Sequence, residues 1–343
     1  MYANLETDNT LYVFMHAEQV YTGSESYDSC SIIGETTIEN IYLHICKIDI
    51  KSIIIDFDEI KKEKNGVTWM GKIIQHCKEK DINLTLCRIE KGLLGALKLE
   101  ESLKIYYDAD FRKKDNGNGT VNIVCSDSPI YSLTNEIIYN LYEQKLIERM
   151  NEHGSRYIIE REANQQYSHS SNVNLPKYIN IKAFIEEKEL SFLGLYLLYK
   201  KSKQLNLFND RYNQPLLFFS SMAGAYLASV FSKLASIDMV FLNHLGPKKK
   251  LYRELHKEQL LADKDYLIIS DVVCLGAEIE RAKTLIEYAG GKLKGILSIV
   301  LVDVVSNRPN KEKEINKISL LNLTADKNPF GYQIITDFNN IKN

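Results

Sequence analysis

Four apolar runs in the second half of the chain, Leu216–Phe219, Met239–Leu242, Tyr266–Val273 and Ile296–Val304, constrain the fold more than anything else in the sequence. They are separated by two helical segments and one loop. The first helix repeats apolar residues at Leu227, Val230, Phe231 and Leu234, and the second at Ala282, Leu285, Ile286 and Ala289, both spaced i, i+3, i+4, i+7. Near-continuous apolar strands alternating with helices are what a parallel sheet covered on both faces requires. A Rossmann-like α/β core over residues 215–305 is therefore expected.

The remaining length calls for a second core, because 343 residues exceed what one hydrophobic core usually serves. Ser52–Phe57 reads as a strand, and Met70, Ile73, Ile74 and Cys77 then mark one helix face. Ile82–Ile89 alternates like a second strand, and Gly92–Leu103 places Leu94, Leu97 and Leu103 on a helical stripe. This β-α-β-α order predicts a small open-sheet domain. The flexible run Asp115-Asn116-Gly117-Asn118-Gly119 is read as the boundary, which gives domains 1–118 and 119–343. Val121–Cys125 then opens the second domain as a short strand. A helical lead-in over about 130–210 follows, with helices at Thr134–Met150 and Lys182–Lys203 and a polar loop at Asn164–Asn174. The tail beyond Arg308 is rich in lysine and asparagine and predicts nothing beyond a turn at Pro329-Phe330-Gly331.

Composition excludes several classes of function. Acids and bases nearly cancel to a formal charge of −2, so no global basic field drives general nucleic-acid binding. The six cysteines, Cys30, Cys46, Cys77, Cys87, Cys125 and Cys274, form no C-x-x-C pair, which points to a reducing cytosol without structural zinc. The amino terminus shows no basic-then-apolar secretion signal. Tyr212–Ser232 carries no charge and is long enough for a membrane span, but Pro215, Ser220, Ser221 and Gly224 break it where a strand turns into a helix. A cytoplasmic protein without membrane spans is expected.

In open parallel sheets, ligands bind beyond the carboxyl ends of strands, where loops enter helices. The third apolar run ends in Ser270-Asp271-Val272-Val273-Cys274-Leu275-Gly276-Ala277-Glu278. An acid at a strand tip can accept hydrogen bonds from two neighbouring sugar hydroxyls, and the amides opening the next helix welcome a phosphate.

On these residues, Tyr266–Ala289 followed by Gly290-Gly291-Lys292-Leu293 resembles the phosphoribosyl diphosphate motif of type I phosphoribosyltransferases, the orotate-type members above all. Phe218-Phe219-Ser220-Ser221-Met222-Ala223-Gly224-Ala225 resembles the family's pyrophosphate loop, and Gly246–Gln259 its mobile loop. The resemblance covers roughly Leu216–Asp303. It implies that Ser270, Asp271, Cys274, Leu275, Gly276, Ala277 and Glu278, with Ser221, Met222, Ala223 and Gly224, bind a phosphorylated ribose compound. It further implies Mg²⁺ held with phosphoribosyl diphosphate, Asp271 on the ribose hydroxyls, and Lys248, Lys249 and Lys250 assisting departure of pyrophosphate.

The sequence departs from the family pattern in ways that bear on activity. Ser270 and Asp271 stand where the family has two acids, and Leu275-Gly276-Ala277-Glu278 stands where it has hydroxyl-glycine-glycine-hydroxyl. A Glu278 carboxylate close to a phosphate would be repulsive, at about 1 to 4 kcal/mol for partly exposed separations. Placed in the first helical turn, it instead complements the helix dipole. Two functions follow from the resemblance. One is binding of phosphoribosyl diphosphate or a nucleotide, with transfer of the phosphoribosyl group to a nitrogen acceptor. The other is a catalytically degenerate sensor or scaffold, as in a bacterial regulatory or defence system.

The amino-terminal domain resembles STAS domains of anti-anti-sigma factors and sulfate transporters. Ser52–Asp56 matches their central strand, and Thr68-Trp69-Met70-Gly71 lies where they carry aspartate-serine-serine-glycine. Met70 occupies the phosphorylated position and accepts no phosphoryl group. The retained use implied is protein–protein contact, and a homo-oligomer is compatible with it. Elsewhere the seven histidines form no metal pair at helical spacing. His169 reads as solvated, and Asp56 and Asp58 as strand-end acids facing water rather than metal ligands. Trp69, the only tryptophan, reads as a core or interface anchor.

Overall fold

A computed structural model describes residues 1–7, 9–16, 32–64, 67–107, 111–125, 133–160, 177–208, 214–219, 222–241, 260–273, 276–304, 315–327 and 334–336. The chain divides into two compact units, Met1–Asn140 and Leu141–Asn343.

The first unit contains β1 (Tyr2–Thr7), β2 (Thr10–Met15), β3 (Ile32–Gly34), α1 (Glu35–Ile45), β4 (Ser52–Asp56), β5 (Lys62–Lys64), α2 (Val67–Glu79), β6 (Asn83–Glu90), α3 (Lys91–Ala96), α4 (Leu99–Tyr107), β7 (Arg112–Asp115) and β8 (Thr120–Cys125). Its sheet runs β1-β2-β4-β6-β8-β7. β2, β4 and β6 are mutually parallel, and β1, β8 and β7 pair antiparallel with their neighbours. Met70, Ile73, Ile74 and Cys77 of α2 are all buried on the sheet, as their spacing predicts.

Three sequence expectations change here. Asp115–Gly119 is not a linker but the turn of the β7–β8 hairpin, closed by the Asn116 N–H donating to Thr120 O over 3.0 Å. Asn-Gly steps serve tight hairpins as readily as linkers, and β8 is an apolar strand that finds its partner in β6. The boundary accordingly falls near Asn140 rather than at 118. The helix expected over Gly92–Leu103 is split into α3 and α4 by Lys98, whose backbone adopts the left-handed φ of 48°. Asp56 does not face water: it is 1% exposed and receives the Arg88 guanidinium at both oxygens. Arg88 sits in the register shift of β6 at φ 56°, and its N–H donates to Asn122 Oδ1 over 2.8 Å in place of a ladder bond. The same guanidinium reaches Asn135 Oδ1 at 3.0 Å and Asp58 Oδ2 at 3.3 Å. Nothing in single-sequence periodicity pairs residues this far apart.

α5 (Asn135–Glu152) begins within the first unit and continues into the second. The second unit then contains α6 (Gly154–Tyr157), β9 (Ile158–Glu160), β10 (Lys177–Ile179), α7 (Ile181–Glu186), α8 (Lys188–Gln204), β11 (Leu216–Phe219), α9 (Met222–Ala235), β12 (Met239–Phe241), β13 (Asp265–Val273), α10 (Ala277–Tyr288), β14 (Lys292–Val304), β15 (Asn316–Lys327) and β16 (Ile334–Thr336). The single helix expected over Lys182–Lys203 is two, broken at Glu187 with ψ 84°. The six-stranded sheet runs β12-β11-β13-β14-β15-β16, parallel throughout except for β16. β15 and β16 come from the tail that predicted nothing. β15 alternates weakly in sequence and takes its place because β14 presents a long apolar partner, paired from Gly295↔Asn316 to Val304↔Ala325.

One sheet face carries Phe218, Tyr266, Ile268 and Ile296 against Ile279, Ala282, Leu285 and Ile286 of α10. α8 crosses β15 closely at Gly194, where a Cβ would meet the Tyr142 hydroxyl and lie 2.7 Å from Leu320 Cδ1. The uncharged stretch that resembled a membrane span divides into β11 and α9. Among the described residues, no helix is long and apolar enough to cross a membrane.

Candidate functional site at the sheet switch point

The strand order places a topological switch between β11 and β13. From β11 the chain proceeds outward to β12, whereas from β13 it proceeds the other way to β14 and β15. Loops leaving two adjacent parallel strands in opposite directions open a crevice at their carboxyl ends, where open α/β sheets bind ligands. β11 and β13 are directly paired, Phe218 opposite Ile268. The segments that follow them lead into α9 and α10, the two loops singled out from sequence.

Asp271 stands near the carboxyl end of β13 and is half-buried. Its Oδ1 accepts the Val272 N–H at 2.9 Å and lies 3.4 Å from the Ser270 hydroxyl. Oδ2 makes no hydrogen bond among the described residues. One carboxylate oxygen is thus held by the local backbone. Ser270 itself is buried, with its Oγ also 3.4 Å from Val272 O.

α10 opens at Gly276, whose φ of 73° is the left-handed conformation that a side-chain-bearing residue adopts only with strain. Gly276 contributes no side-chain cap, and its carbonyl accepts the Glu280 N–H at 2.8 Å. The first-turn amides from Ala277 onward therefore point toward the crevice end of the helix without a capping oxygen from the N-cap residue. Glu278 is exposed, as is Glu280 one turn position later. At the helix start, the exposed Glu278 complements the dipole. On the β11 side, Met222 and Ala223 open α9 and Gly224 is buried in its first turn. Ser221, Cys274, Leu275 and the lysines Lys248, Lys249 and Lys250 lie outside the described residues.

The Tyr266 hydroxyl accepts the Leu261 N–H at 2.7 Å and is 3.1 Å from Leu261 O, which ties the segment entering β13 to the strand. Burial raises this phenol above its ordinary value, although the Leu261 N–H works in the opposite direction. Two features near the site escaped sequence reading. Ser270, Ser298 and Ser319 are register neighbours across β13, β14 and β15, forming a buried row of hydroxyls on one sheet face. Phe219 and Phe241, at the carboxyl ends of β11 and β12, stack with ring centroids 5.0 Å apart. Both depend on lateral strand order, for which a single sequence carries no signal.

Among the described residues no cluster of three or more His, Cys, Asp or Glu side chains could hold a metal ion. One strand-tip carboxylate fits Mg²⁺ delivered on substrate phosphates, which commonly needs only one or two protein carboxylates, and does not fit a resident ion in an all-protein cage.

No protein-family model matches the chain, and no curated protein matches it. Among solved structures, it is similar to adenine phosphoribosyltransferase from Rhodothermus marinus, at 16% identity and a TM-score of 0.39, over 52% of this chain and 99% of that one. It is similar also to orotate phosphoribosyltransferase from Aeropyrum pernix, at 14% identity and a TM-score of 0.37, over 52% and 93%. A third is adenine phosphoribosyltransferase from Trypanosoma brucei in complex with AMP, pyrophosphate and ribose-5-phosphate, at 12% identity and a TM-score of 0.38, over 52% and 79%.

Proposed function

We propose that the second unit binds a phosphorylated ribose compound, phosphoribosyl diphosphate or a nucleotide, in the crevice between β11 and β13. The observation that carries this reading is the placement of Asp271 and the Gly276-led start of α10 at the switch point of a parallel sheet. In this reading the unengaged oxygen of Asp271 accepts the ribose hydroxyls, and the amides from Gly276 to Ala277 receive the 5′-phosphate. The start of α9 around Ala223 and Gly224 takes the pyrophosphate end. Mg²⁺, bound with the diphosphate, supplies charge neutralisation there. If the group is transferred, the acceptor is a nitrogen nucleophile, and Lys248, Lys249 and Lys250, outside the described residues, would assist departure of pyrophosphate.

A second reading is a degenerate sensor or scaffold that keeps the ligand crevice without turnover, with the STAS-like first unit serving protein contacts. Leu275 and Glu278 in place of phosphate-binding hydroxyls favour it, as does Met70, which is 1% exposed and offers no phosphorylatable oxygen. Thermal unfolding with and without phosphoribosyl diphosphate and Mg²⁺ tests the binding shared by both readings, because a ligand selective for the folded state raises the melting point above its Kd. A shift in the wild type that disappears in Asp271→Ala supports the site; no shift in either removes it. Release of pyrophosphate in the presence of candidate bases then separates the enzyme from the sensor.

A further inference from the structure

The β7–β8 turn contains two Asn-Gly steps, Asn116-Gly117 and Asn118-Gly119, two residues apart and both exposed. In such a step the glycine nitrogen can attack the preceding side-chain amide. The Gly N–Cγ bond forms, the Cγ–Nδ2 bond breaks, ammonia leaves, and water opens the resulting succinimide to aspartate or isoaspartate. The attack needs a glycine N–H able to surrender its proton, and a carbonyl oxygen whose developing negative charge is stabilised by donors.

The structure sets the two steps apart on both counts. The Gly117 N–H donates to the Asp115 carboxylate over 2.9 Å, so that nitrogen holds its proton beside a negative charge. The Asn116 Nδ2 is itself engaged, donating to Thr120 Oγ1 and Asn122 Oδ1, each at 3.0 Å. The Gly119 N–H makes no hydrogen bond among the described residues. Asn118 Oδ1, the oxygen on which charge would develop, accepts both the Thr120 hydroxyl at 2.7 Å and the Thr120 N–H at 3.2 Å. We propose that Asn118 is a self-modifying site, converted through attack by Gly119 with water as co-reactant, while Asn116 in the same turn is protected.

Conversion to isoaspartate lengthens the main chain of the turn and adds a carboxylate next to the exposed Asp115–Lys91 ion pair. The strand affected, β8, carries the Asn122 that holds the Arg88 backbone.

The test is to incubate the full native chain in mildly alkaline buffer and locate amide-to-acid conversion by tandem mass spectrometry of the turn peptide, alongside the same chain in urea. Asn118 is expected to convert about three- to tenfold faster than Asn116 in the folded protein, the ratio supplied by one hydrogen bond of ordinary net strength. In urea the two rates converge. Asp115→Ala frees the Gly117 N–H and is expected to raise the Asn116 rate, narrowing the gap. Equal or reversed rates in the native chain overturn the proposal, and so does a preference that survives unfolding or an Asn116 rate indifferent to Asp115→Ala.

Discussion

The Arg88 Nε donates to Asp56 Oδ1 over 2.8 Å, and the arginine does so from a backbone held in the left-handed region at φ 56°. The Asp56 side chain is 1% exposed and that of Arg88 16%, so this is a largely desolvated pair joining the carboxyl end of β4 to the bulge of β6. Removing one member leaves the other charge without its main compensation. Asp56→Ala is expected to lower stability by about 3 kcal/mol, read as a fall in the urea midpoint at unchanged slope. A change below about 1 kcal/mol, the size of an exposed pair, would show the contact to be screened.

At Gly194, α8 packs tightly on its neighbours, with Leu320 Cδ1 at 2.7 Å and Phe184 Cζ at 3.1 Å from the position of an added methyl. Gly194→Ala should destabilise the second unit by about 1–3 kcal/mol, the usual result of overpacking. Thermal unfolding reports it, and Gly92→Ala, where an added Cβ meets nothing within 4 Å, serves as the control.

Gly276→Ala separates site geometry from packing. Its Cβ would meet nothing within 4 Å, so the cost arises from φ 73° alone and should be about 1–2 kcal/mol. If the α10 amides receive the phosphate, the substitution also weakens binding of ribose 5-phosphate in isothermal titration. Affinity unchanged alongside the expected stability loss would place the phosphate elsewhere.

Burial pushes the thiols of Cys77, Cys87 and Cys125 up to about 12 from an ordinary 9.0. The unfolded chain ionises these groups first, so between the two values it binds fewer protons than the folded one and stability falls as pH rises. The loss should begin near pH 9 and approach about 1.4 kcal/mol per pH unit for each thiol. Urea unfolding across alkaline pH measures it, and Cys125→Ala should flatten the slope. A profile unaffected by that substitution would assign the alkaline loss to other groups.

Much of this architecture was legible in residue order because its signals are local. The α2 stripe at Met70, Ile73, Ile74 and Cys77 and the apolar run of β13 read correctly, since burial selects residue type at the period of the element. The strand and the helix between Tyr266 and Ala289 were also readable, because the apolar run of β13 and the stripe of α10 are each local in sequence.

Lateral relationships were decided only by the folded chain. The Asn-Gly run reads as a domain boundary, and only the pairing of β8 with β6 and β7 makes it a hairpin turn. The partnership of Asp56 with Arg88, the serine row Ser270, Ser298 and Ser319, and the recruitment of β15 from an unpatterned tail all depend on which strands lie side by side. Periodicity along a strand reports which face is buried but not its neighbour. That choice belongs to crossover handedness and to the competition among all strands for edges, which are properties of the whole sheet.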